Sequence, residues 1–275
     1  MKENIHSASL AQEKTNPSGT WALILGGSSG LGLATAQKLA RHGFNIIIVH
    51  RDRKNDMEKI QKAFQEIAQL PVQFKSFNAD AVHPESILSL VQKIKTTLPD
   101  TEKIKVLVHS IAKGTLKPMY ATTESELQHQ DFRVTIEAMG ISLYSWTQLL
   151  VREDLFCADS RIISFTSEGN TKAMHHYAAI SAAKGVLEAI TRNIALEFAP
   201  LGIKANCIQA GVTVTAALDR IPGSAALKKN ALQRNPNGRL TTVEDVANAA
   251  YLLCLEEAQW ITGTILKVDG GESLQ

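Results

Sequence analysis

A tyrosine and a lysine stand seven residues apart in an alanine-rich segment that runs from Tyr177 to Lys184. On a helix, seven residues give about 700° of rotation and about 10 Å of rise, so the two side chains share nearly one face. A nearby ammonium favours the phenolate, and such a phenol can share a proton with an oxygen that gains negative charge during hydride transfer. Ser167 could donate a further hydrogen bond. The alternative for an isolated pair is ordinary packing, with the lysine ammonium reaching solvent.

A glycine-rich turn, Gly26-Gly27-Ser28-Ser29-Gly30-Leu31-Gly32, separates an apolar run from the helical stretch Leu33–Arg41. Glycine lets the backbone turn tightly and approach a pyrophosphate, and the start of the following helix supplies free N–H groups and partial positive charge. A glycine cluster alone is more often a structural turn. Its position after the first strand of an alternating chain favours nucleotide binding here.

The end of the second apolar run indicates which nicotinamide cofactor is bound. An NAD site places an acidic residue about 20 residues beyond the glycine turn, where it holds the ribose 2′-hydroxyl. This chain has His50 there, followed by Arg51. A guanidinium can pair with a 2′-phosphate, so the sequence favours NADPH over NADH. The alternatives are that Arg51 and Arg53 form a solvated loop face, or that Asp52 takes the acidic role.

Short runs rich in Val, Ile and Leu alternate with helical segments, which suits strands buried on both faces of a sheet. Pro84 suits the first turn of a helix, and Thr123-x-x-Glu126 and Thr241-x-x-Glu244 predict capping boxes. The pattern predicts an α/β fold: a single-domain Rossmann-type doubly wound parallel sheet of about seven strands, with helices on both faces, over residues 19–275. The polar composition of residues 1–18, which lacks a sustained periodicity, predicts a flexible N-terminal extension. The expected strands are Trp21–Leu25, Phe44–Val49, Val72–Phe77, Ile104–His109, Arg161–Phe165, Ile203–Ile208 and Thr264–Val268.

Composition narrows the function further. Lys and Arg total 29 against 27 Asp and Glu, and this formal charge of +2 does not support a nucleic-acid partner. The three cysteines, Cys157, Cys207 and Cys254, fit neither a disulfide framework nor a metal site. No apolar run approaches the roughly 18–20 residues of a membrane span. We expect a cytoplasmic protein with no metal and no membrane partner.

The glycine spacing, Gly26-x3-Gly30-x-Gly32, resembles that of the short-chain dehydrogenase/reductase superfamily. Most members carry Tyr-x3-Lys, whereas this chain has Ile180 at that position and Tyr-x6-Lys instead. That spacing is similar to the enoyl-[acyl-carrier-protein] reductases, and specifically to the NADPH-dependent branch called type III, which has a serine where Ser167 stands. Three further segments agree with this branch: His109-Ser110-Ile111-Ala112, Ala210–Thr215 and Val268-Asp269-Gly270-Gly271.

The resemblance implies hydride transfer from NADPH to a trans-2-enoyl thioester in fatty acid biosynthesis, with Tyr177 at the thioester oxygen and Lys184 at the nicotinamide ribose. The segment from Thr215 to Gly238 would cover the acyl chain. Relatives commonly form tetramers built on long helices, here expected over Thr123–Val151 and Tyr177–Phe198. Lys228, Lys229 and Arg234 could meet an acidic acyl carrier protein, with a plain solvated face as the alternative. The implied cofactor contacts are Gly26, Ser28, Ser29, Leu31, Gly32, Arg51, Asp80 at the adenine, Ser110, Ile111, Ala112, Lys184, Gly211 and Thr213; for Asp80 the alternative is a helix N-cap.

Some positions depart from the pattern and keep other functions open. Glu137 stands where carbonyl-reducing relatives place a catalytic asparagine, and Val212 replaces the usual proline near the nicotinamide. Leu25 replaces a threonine that often precedes the first glycine. The alternatives are a carbonyl, 3-oxoacyl or alcohol oxidoreductase of the same superfamily and, less favoured, a non-catalytic NADPH-binding scaffold.

Overall fold

A computed structural model describes residues 19–122 and 125–275. They form a single-domain α/β fold around one parallel sheet of seven strands, in the order β3-β2-β1-β4-β5-β6-β7. The strands are β1 Thr20–Leu25, β2 Asn45–His50, β3 Phe74–Asn78, β4 Lys103–His109, β5 Phe156–Ser167, β6 Ile203–Ala210 and β7 Ile265–Val268. The helices are α1 Gly30–Arg41, α2 Met57–Ala68, α3 Pro84–Thr97, α4 His129–Ile136, α5 Ser142–Arg152, α6 Ala178–Glu197, α7 Ala216–Asp219, α8 Ser224–Arg234 and α9 Val243–Cys254.

The central strands are buried on both faces because their side chains alternate between two apolar cores. Leu23 and Leu25 of β1 point into one core, which holds the fully buried Trp146 of α5. Ile24 points into the other, against residues of α1, α2 and α9 such as Leu39. Helices therefore cover both faces, as the continuous apolar runs predicted.

Several predicted boundaries change where local hydrogen bonds override the apolar pattern. The capping box of α9 uses Thr242 and Asp245, one residue later than predicted, so the Thr241/Glu244 prediction is wrong. Strand β5 is longer than expected, because its first residues pair with the neighbouring strands beyond the apolar run. Pro84 does begin α3.

The expected long helix from 123 to 151 is interrupted. Thr123 and residues 1–18 lie outside the described residues. Helix α4 begins at His129, where the Asp131 carboxylate accepts a hydrogen bond from the Gln128 backbone N–H at 2.9 Å. A π-helical segment, Glu137–Ile141, then separates α4 from α5. This segment starts at Glu137.

All strands run in parallel, so their carboxyl ends meet at one edge of the sheet. The glycine-rich turn follows β1, Ser110 follows β4, and Gly211 follows β6. Ser167 is the last residue of β5. The fold therefore brings the predicted cofactor and catalytic positions to the edge where ligands bind in doubly wound sheets.

Candidate active site

Ser167 and Tyr177 meet directly at this edge. Tyr177 is the residue immediately before α6, and its phenol oxygen lies 3.1 Å from the Ser167 hydroxyl oxygen, within hydrogen-bond distance. The tyrosine side chain is buried against Met139, Ile180 and Ala183. This contact places a hydroxyl pair of fixed geometry beside the carboxyl end of β5.

The pKa of Tyr177 is raised above its usual value because burial disfavours the phenolate, and the hydrogen bond from Ser167 offsets part of that increase. The expectation that Lys184 would favour the phenolate is therefore wrong, since burial dominates. Tyr177 remains a neutral phenol, which is the protonation state suited to donating a hydrogen bond.

Lys184 is buried in α6, and its Nζ atom donates a hydrogen bond to the Phe165 carbonyl oxygen at 2.5 Å. Burial lowers the pKa of Lys184 to about 8, and the nearby Cys207 and Glu188 oppose this shift only in part. The ammonium is thus held by the strand that ends at Ser167, not by an acidic partner. Strand β5 and helix α6 therefore position all three residues, Ser167, Tyr177 and Lys184.

Gly169 fixes the position of the tyrosine ring. A Cβ atom at this residue would lie 2.5 Å from Tyr177 Cε1 and 2.9 Å from its Cδ1. The backbone of the turn after β5 therefore packs against the tyrosine ring at a distance that only glycine permits.

The glycine-rich turn packs closely against the backbone of its own chain. Gly26 has φ +83°, and a Cβ there would lie 2.6 Å from the Ser110 carbonyl oxygen. A Cβ on Gly32 would lie 2.3 Å from the Gly26 carbonyl oxygen. Ser29 is the N-cap residue of α1, yet its side chain makes no capping hydrogen bond. The first N–H groups of α1 and the hydroxyls of Ser28 and Ser29 therefore fit a pyrophosphate, with Leu31 in the same first turn.

Arg51 and Asp80 form an ion pair at the outer end of the edge, with 2.5 Å between Arg51 Nη1 and Asp80 Oδ2. The other Asp80 oxygen accepts hydrogen bonds from the backbone N–H groups of Val82 and His83, at 2.7 and 3.1 Å. Burial raises the pKa of Asp80, but those hydrogen bonds and the Arg51 charge outweigh it, so the pKa is lowered overall. Asp80 thus organises the loop before α3 while it faces Arg51.

The alternative acidic residue, Asp52, is already engaged. Its Oδ2 atom lies 2.8 Å from Nδ1 of the buried His50 ring. The Arg51 side chain remains largely exposed. At this end of the site, a cation is the group that faces outward, which fits a 2′-phosphate.

The loop after β6 is held by hydrogen bonds to β7 and to Glu272 near the end of the chain. Gly211 donates its N–H to the Val268 carbonyl oxygen at 3.1 Å, and Thr213 Oγ1 donates to the Gly211 carbonyl oxygen at 2.9 Å. The Val212 N–H donates to Glu272 Oε2 at 3.0 Å. Across the edge, the Ser110 N–H donates to the Leu25 carbonyl oxygen at 2.8 Å, which places Ser110, Ile111 and Ala112 directly beside the glycine turn.

Sequence reasoning missed a buried carboxylate in α6. Glu188 accepts a hydrogen bond from Thr166 Oγ1 at 2.6 Å and another from the Asn170 amide. It thereby holds both sides of the turn that carries Ser167 and Gly169. Its spacing of four residues after Lys184 is the signal that could have identified it, because residues i and i+4 share a helix face.

The three basic residues expected to contact an acyl carrier protein, Lys228, Lys229 and Arg234, differ in their exposure and ion pairing. Arg234 is partly buried and pairs with Glu168 and Glu272, so its charge is already shared with two carboxylates. Lys228 Nζ lies 2.6 Å from Asp219 Oδ1, which links α8 to α7. Lys229 is exposed. Among residues 19–122 and 125–275, no group of three His, Cys, Asp or Glu side chains could hold a metal ion.

Comparison with known proteins now identifies the family. A family model described as enoyl-(acyl carrier protein) reductase matches residues 26–273. The chain belongs to this family of the short-chain dehydrogenase/reductase superfamily. It is therefore an oxidoreductase with the nicotinamide-binding fold of that superfamily. No helix within the described parts of the chain has the length and apolar character needed to cross a bilayer.

Relatives in this family differ in their reported substrates. Over 220 residues the chain is 32% identical to the enoyl-[acyl-carrier-protein] reductase [NADH] of Aquifex aeolicus, covering 78% of this chain and 77% of the relative. It is also 27% identical over 252 residues to the peroxisomal 2,4-dienoyl-CoA reductase of Mus musculus, covering 91% and 82%. A crystal structure of the Aquifex aeolicus reductase superimposes with a TM-score of 0.79 at 26% identity, covering 94% of this chain and 98% of that one.

Proposed function

We propose that this protein is an NADPH-dependent enoyl-[acyl-carrier-protein] reductase, which reduces the 2,3 double bond of a trans-2-enoyl thioester in fatty acid biosynthesis. The observation that carries this proposal is the placement of the hydroxyl pair. The phenol hydrogen-bonded to Ser167 belongs to Tyr177, seven residues before Lys184. The position three residues nearer to the lysine, where carbonyl-reducing relatives have their tyrosine, is the buried apolar Ile180.

This placement suits conjugate reduction on chemical grounds. In a carbonyl reduction, the oxygen that gains charge is bonded to the carbon that receives hydride. In an enoyl thioester, the carbonyl oxygen lies two atoms farther from the β carbon. A tyrosine placed about one helical turn, or about 5 Å, from the usual position can therefore donate to an oxygen that lies farther from the carbon receiving hydride.

The glycine turn, the open start of α1 and Arg51 fit a phosphorylated dinucleotide, whose reduced nicotinamide supplies hydride to the β carbon. Tyr177 would donate a hydrogen bond to the thioester oxygen as it becomes an enolate oxygen, and Ser167 would orient the phenol. A proton from solvent would then reach the α carbon and complete the reduction. Lys184 holds the nicotinamide ribose with the ammonium hydrogens that Phe165 does not take. Glu188 keeps Ser167 in place through Thr166 and Asn170.

NADPH is proposed over NADH because the exposed side chains just after β2 are cationic, Arg51 and Arg53 among them. Asp52 is occupied by His50, and Asp80 by Arg51 and the Val82 and His83 backbone. A guanidinium paired to one carboxylate can still receive a phosphate, since it carries five donors. The Aquifex aeolicus relative is named for NADH, so the two cofactors must be compared directly.

We further propose that an acyl carrier protein presents the substrate, that the protein is a cytoplasmic homotetramer, and that residues 215–238 cover the acyl chain. The exposed Lys229 beside Lys228 supports an acidic carrier. An open groove between α5 and α6, lined by Tyr144, Ile190 and Phe198 among others, supports self-association through these helices. Cys157, Cys207 and Cys254 are all free, which suits a reducing compartment.

The second candidate is a carbonyl, 3-oxoacyl or alcohol oxidoreductase. The Ser167–Tyr177 hydrogen bond favours it too, because a serine-bound phenol also serves a ketone oxygen. A π-helical segment that begins with Glu137 in place of asparagine weighs against the proton relay of those enzymes.

A substrate panel separates the candidates. Purified protein is given crotonyl and octenoyl thioesters, 3-oxoacyl thioesters and simple ketones, each with NADPH and with NADH, and nicotinamide absorbance is followed. With cofactor deuterated at the transferred position, the proposal predicts deuterium at the β carbon of the acyl product. Turnover of ketones without turnover of enoyl thioesters would assign the chain to the second candidate.

A further inference from the structure

Arg234, the last residue of α8, joins two carboxylates from different parts of the chain. Its Nη2 atom lies 2.9 Å from Glu168 Oε2 and 3.0 Å from Glu272 Oε1. Its Nη1 atom lies 3.3 Å from Glu168 Oε1, so the guanidinium grips Glu168 through two atoms. Three segments that are distant in sequence therefore share one cation.

Each carboxylate is attached to a part of the candidate active site. Glu168 directly follows Ser167, and Lys172 Nζ also lies 2.6 Å from its Oε1 atom. Glu272 is 3% exposed, and its second oxygen accepts the Val212 N–H at 3.0 Å. Val212 belongs to the loop proposed to contact the nicotinamide. The path Val212–Glu272–Arg234–Glu168 thus runs from the cofactor loop, through the helix over the acyl chain, to the end of β5.

The start of α8 is held differently from its end. Gly223, which precedes the helix, has φ +79°, and a Cβ there would have no neighbour within 4 Å. Lys228 links α8 only to the short α7, which belongs to the same segment. Arg234 therefore fixes the end of α8 to Glu168, next to Ser167. The following Asn235 and Asn237 hold the segment to the carbonyl oxygens of Asp269 and Gly270, at 2.9 and 2.8 Å.

We propose that Arg234 is a positioning residue that fixes the cofactor loop and the substrate-side helix α8 to the Ser167 strand end. Its loss frees the buried Glu272 carboxylate from its cation and, with it, the Val212 backbone. The consequence is weaker NADPH binding together with a weaker response of NADPH binding to acyl ligands. For the identity of both ligands the inference rests on the proposed function.

The test measures Arg234→Met against Arg239→Met. Arg239 makes an equally forked pair with Asp245, at 2.6 and 3.0 Å, but with no bond to Glu168 or Glu272. Backbone hydrogen exchange of a peptide containing Val212 is followed without any ligand. We expect exchange about tenfold faster in Arg234→Met and unchanged in Arg239→Met. Equal exchange in both variants would overturn the inference, and this readout does not depend on what the enzyme reduces.

Binding provides the second readout. We expect the NADPH Kd, measured by fluorescence titration, to rise about tenfold in Arg234→Met, and a saturated acyl thioester to lose its effect on that Kd. Glu272→Ala should give the same change, and the double variant no further change, because both act through Val212. Additive effects, or a loss of thermal stability with unchanged NADPH binding, would reduce Arg234 to a structural role.

Arg234→Lys covers the case in which the methionine variant does not fold. It retains a charge but cannot grip two carboxylates as a planar fork. An intermediate rise in Val212 exchange is expected, whereas wild-type exchange would show that charge alone suffices and would overturn the positioning role. If NADPH binding responds as expected but enoyl thioesters are not reduced, the proposed function fails while the positioning role stands.

Discussion

Replacing Gly169 by alanine should disable the site without unfolding the protein. The new Cβ would lie 2.5 Å from Tyr177 Cε1, whereas carbon atoms in contact lie about 3.5–4.0 Å apart. The ring must therefore retreat by about 1 Å. It packs against Met139, Ile180 and Ala183, so the displacement must be taken up by tilting the phenol in a closed cluster.

Such a shift would break the hydrogen bond between Ser167 and Tyr177. At 3.1 Å, a retreat of about 1 Å takes the two oxygens beyond hydrogen-bond distance. Misplacement of this size costs about 100-fold in rate, equivalent to about 2.7 kcal/mol in activation free energy. The overpacking itself should lower the free energy of unfolding by about 1–3 kcal/mol.

The assay compares kcat on crotonyl thioester, NADPH Kd and thermal unfolding in Gly169→Ala and Gly185→Ala. Gly185 lies on the exposed side of α6, where an added Cβ meets nothing within 4 Å. That control should retain activity and gain up to about 1 kcal/mol in unfolding free energy, because alanine favours helix. A folded Gly169→Ala protein with wild-type kcat would refute the assignment of Tyr177 to the reacting oxygen.

Three further outcomes are expected. Arg51→Ala should raise the NADPH Kd about tenfold or more through loss of charge-assisted hydrogen bonds, with little effect on NADH; fluorescence titration of both cofactors checks this, and equal loss would contradict it. Because the pKa of Lys184 is about 8, the lysine is charged below that pH and neutral above it, so NADPH affinity should fall by up to about tenfold per pH unit above 8. Lys184→Met should bind weakly with no such slope, and a wild-type slope in that variant would rule the lysine out. Joint replacement of Lys228 and Lys229 by Glu should raise KM for carrier-linked substrate but not for a coenzyme A thioester; a change in both would indicate damage to residues 215–238 instead.

Strand positions follow from the sequence wherever burial on both faces leaves a continuous apolar run. Ile46–Val49 of β2 is one such run, and all its residues are fully buried. Edge strands are less predictable, because their side chains are partly exposed. In β3, Lys75 and Ser76 are exposed, and the strand begins at Phe74, two residues later than predicted.

The candidate site was predictable where a single residue type determines the local backbone conformation. Glycine at positions 26 and 32 can be read without coordinates because its backbone consequences are local. The helical spacing from Tyr177 to Lys184 is less direct, because Tyr177 lies just before α6. Burial and long-range pairing cannot be read this way. The raised pKa of Tyr177 arises from the packing around it, and the partners of Arg234 come from positions 168 and 272.

The central claim is that Tyr177 serves a conjugate reduction. The most direct measurement follows NADPH oxidation by its near-ultraviolet absorbance with an octenoyl thioester, comparing wild type with Tyr177→Phe. The account predicts turnover in the wild type and, in the variant, a loss of kcat of about 100-fold or more with unchanged NADPH Kd. No turnover of enoyl thioesters by a wild-type protein that binds NADPH, together with activity on ketones, would contradict it.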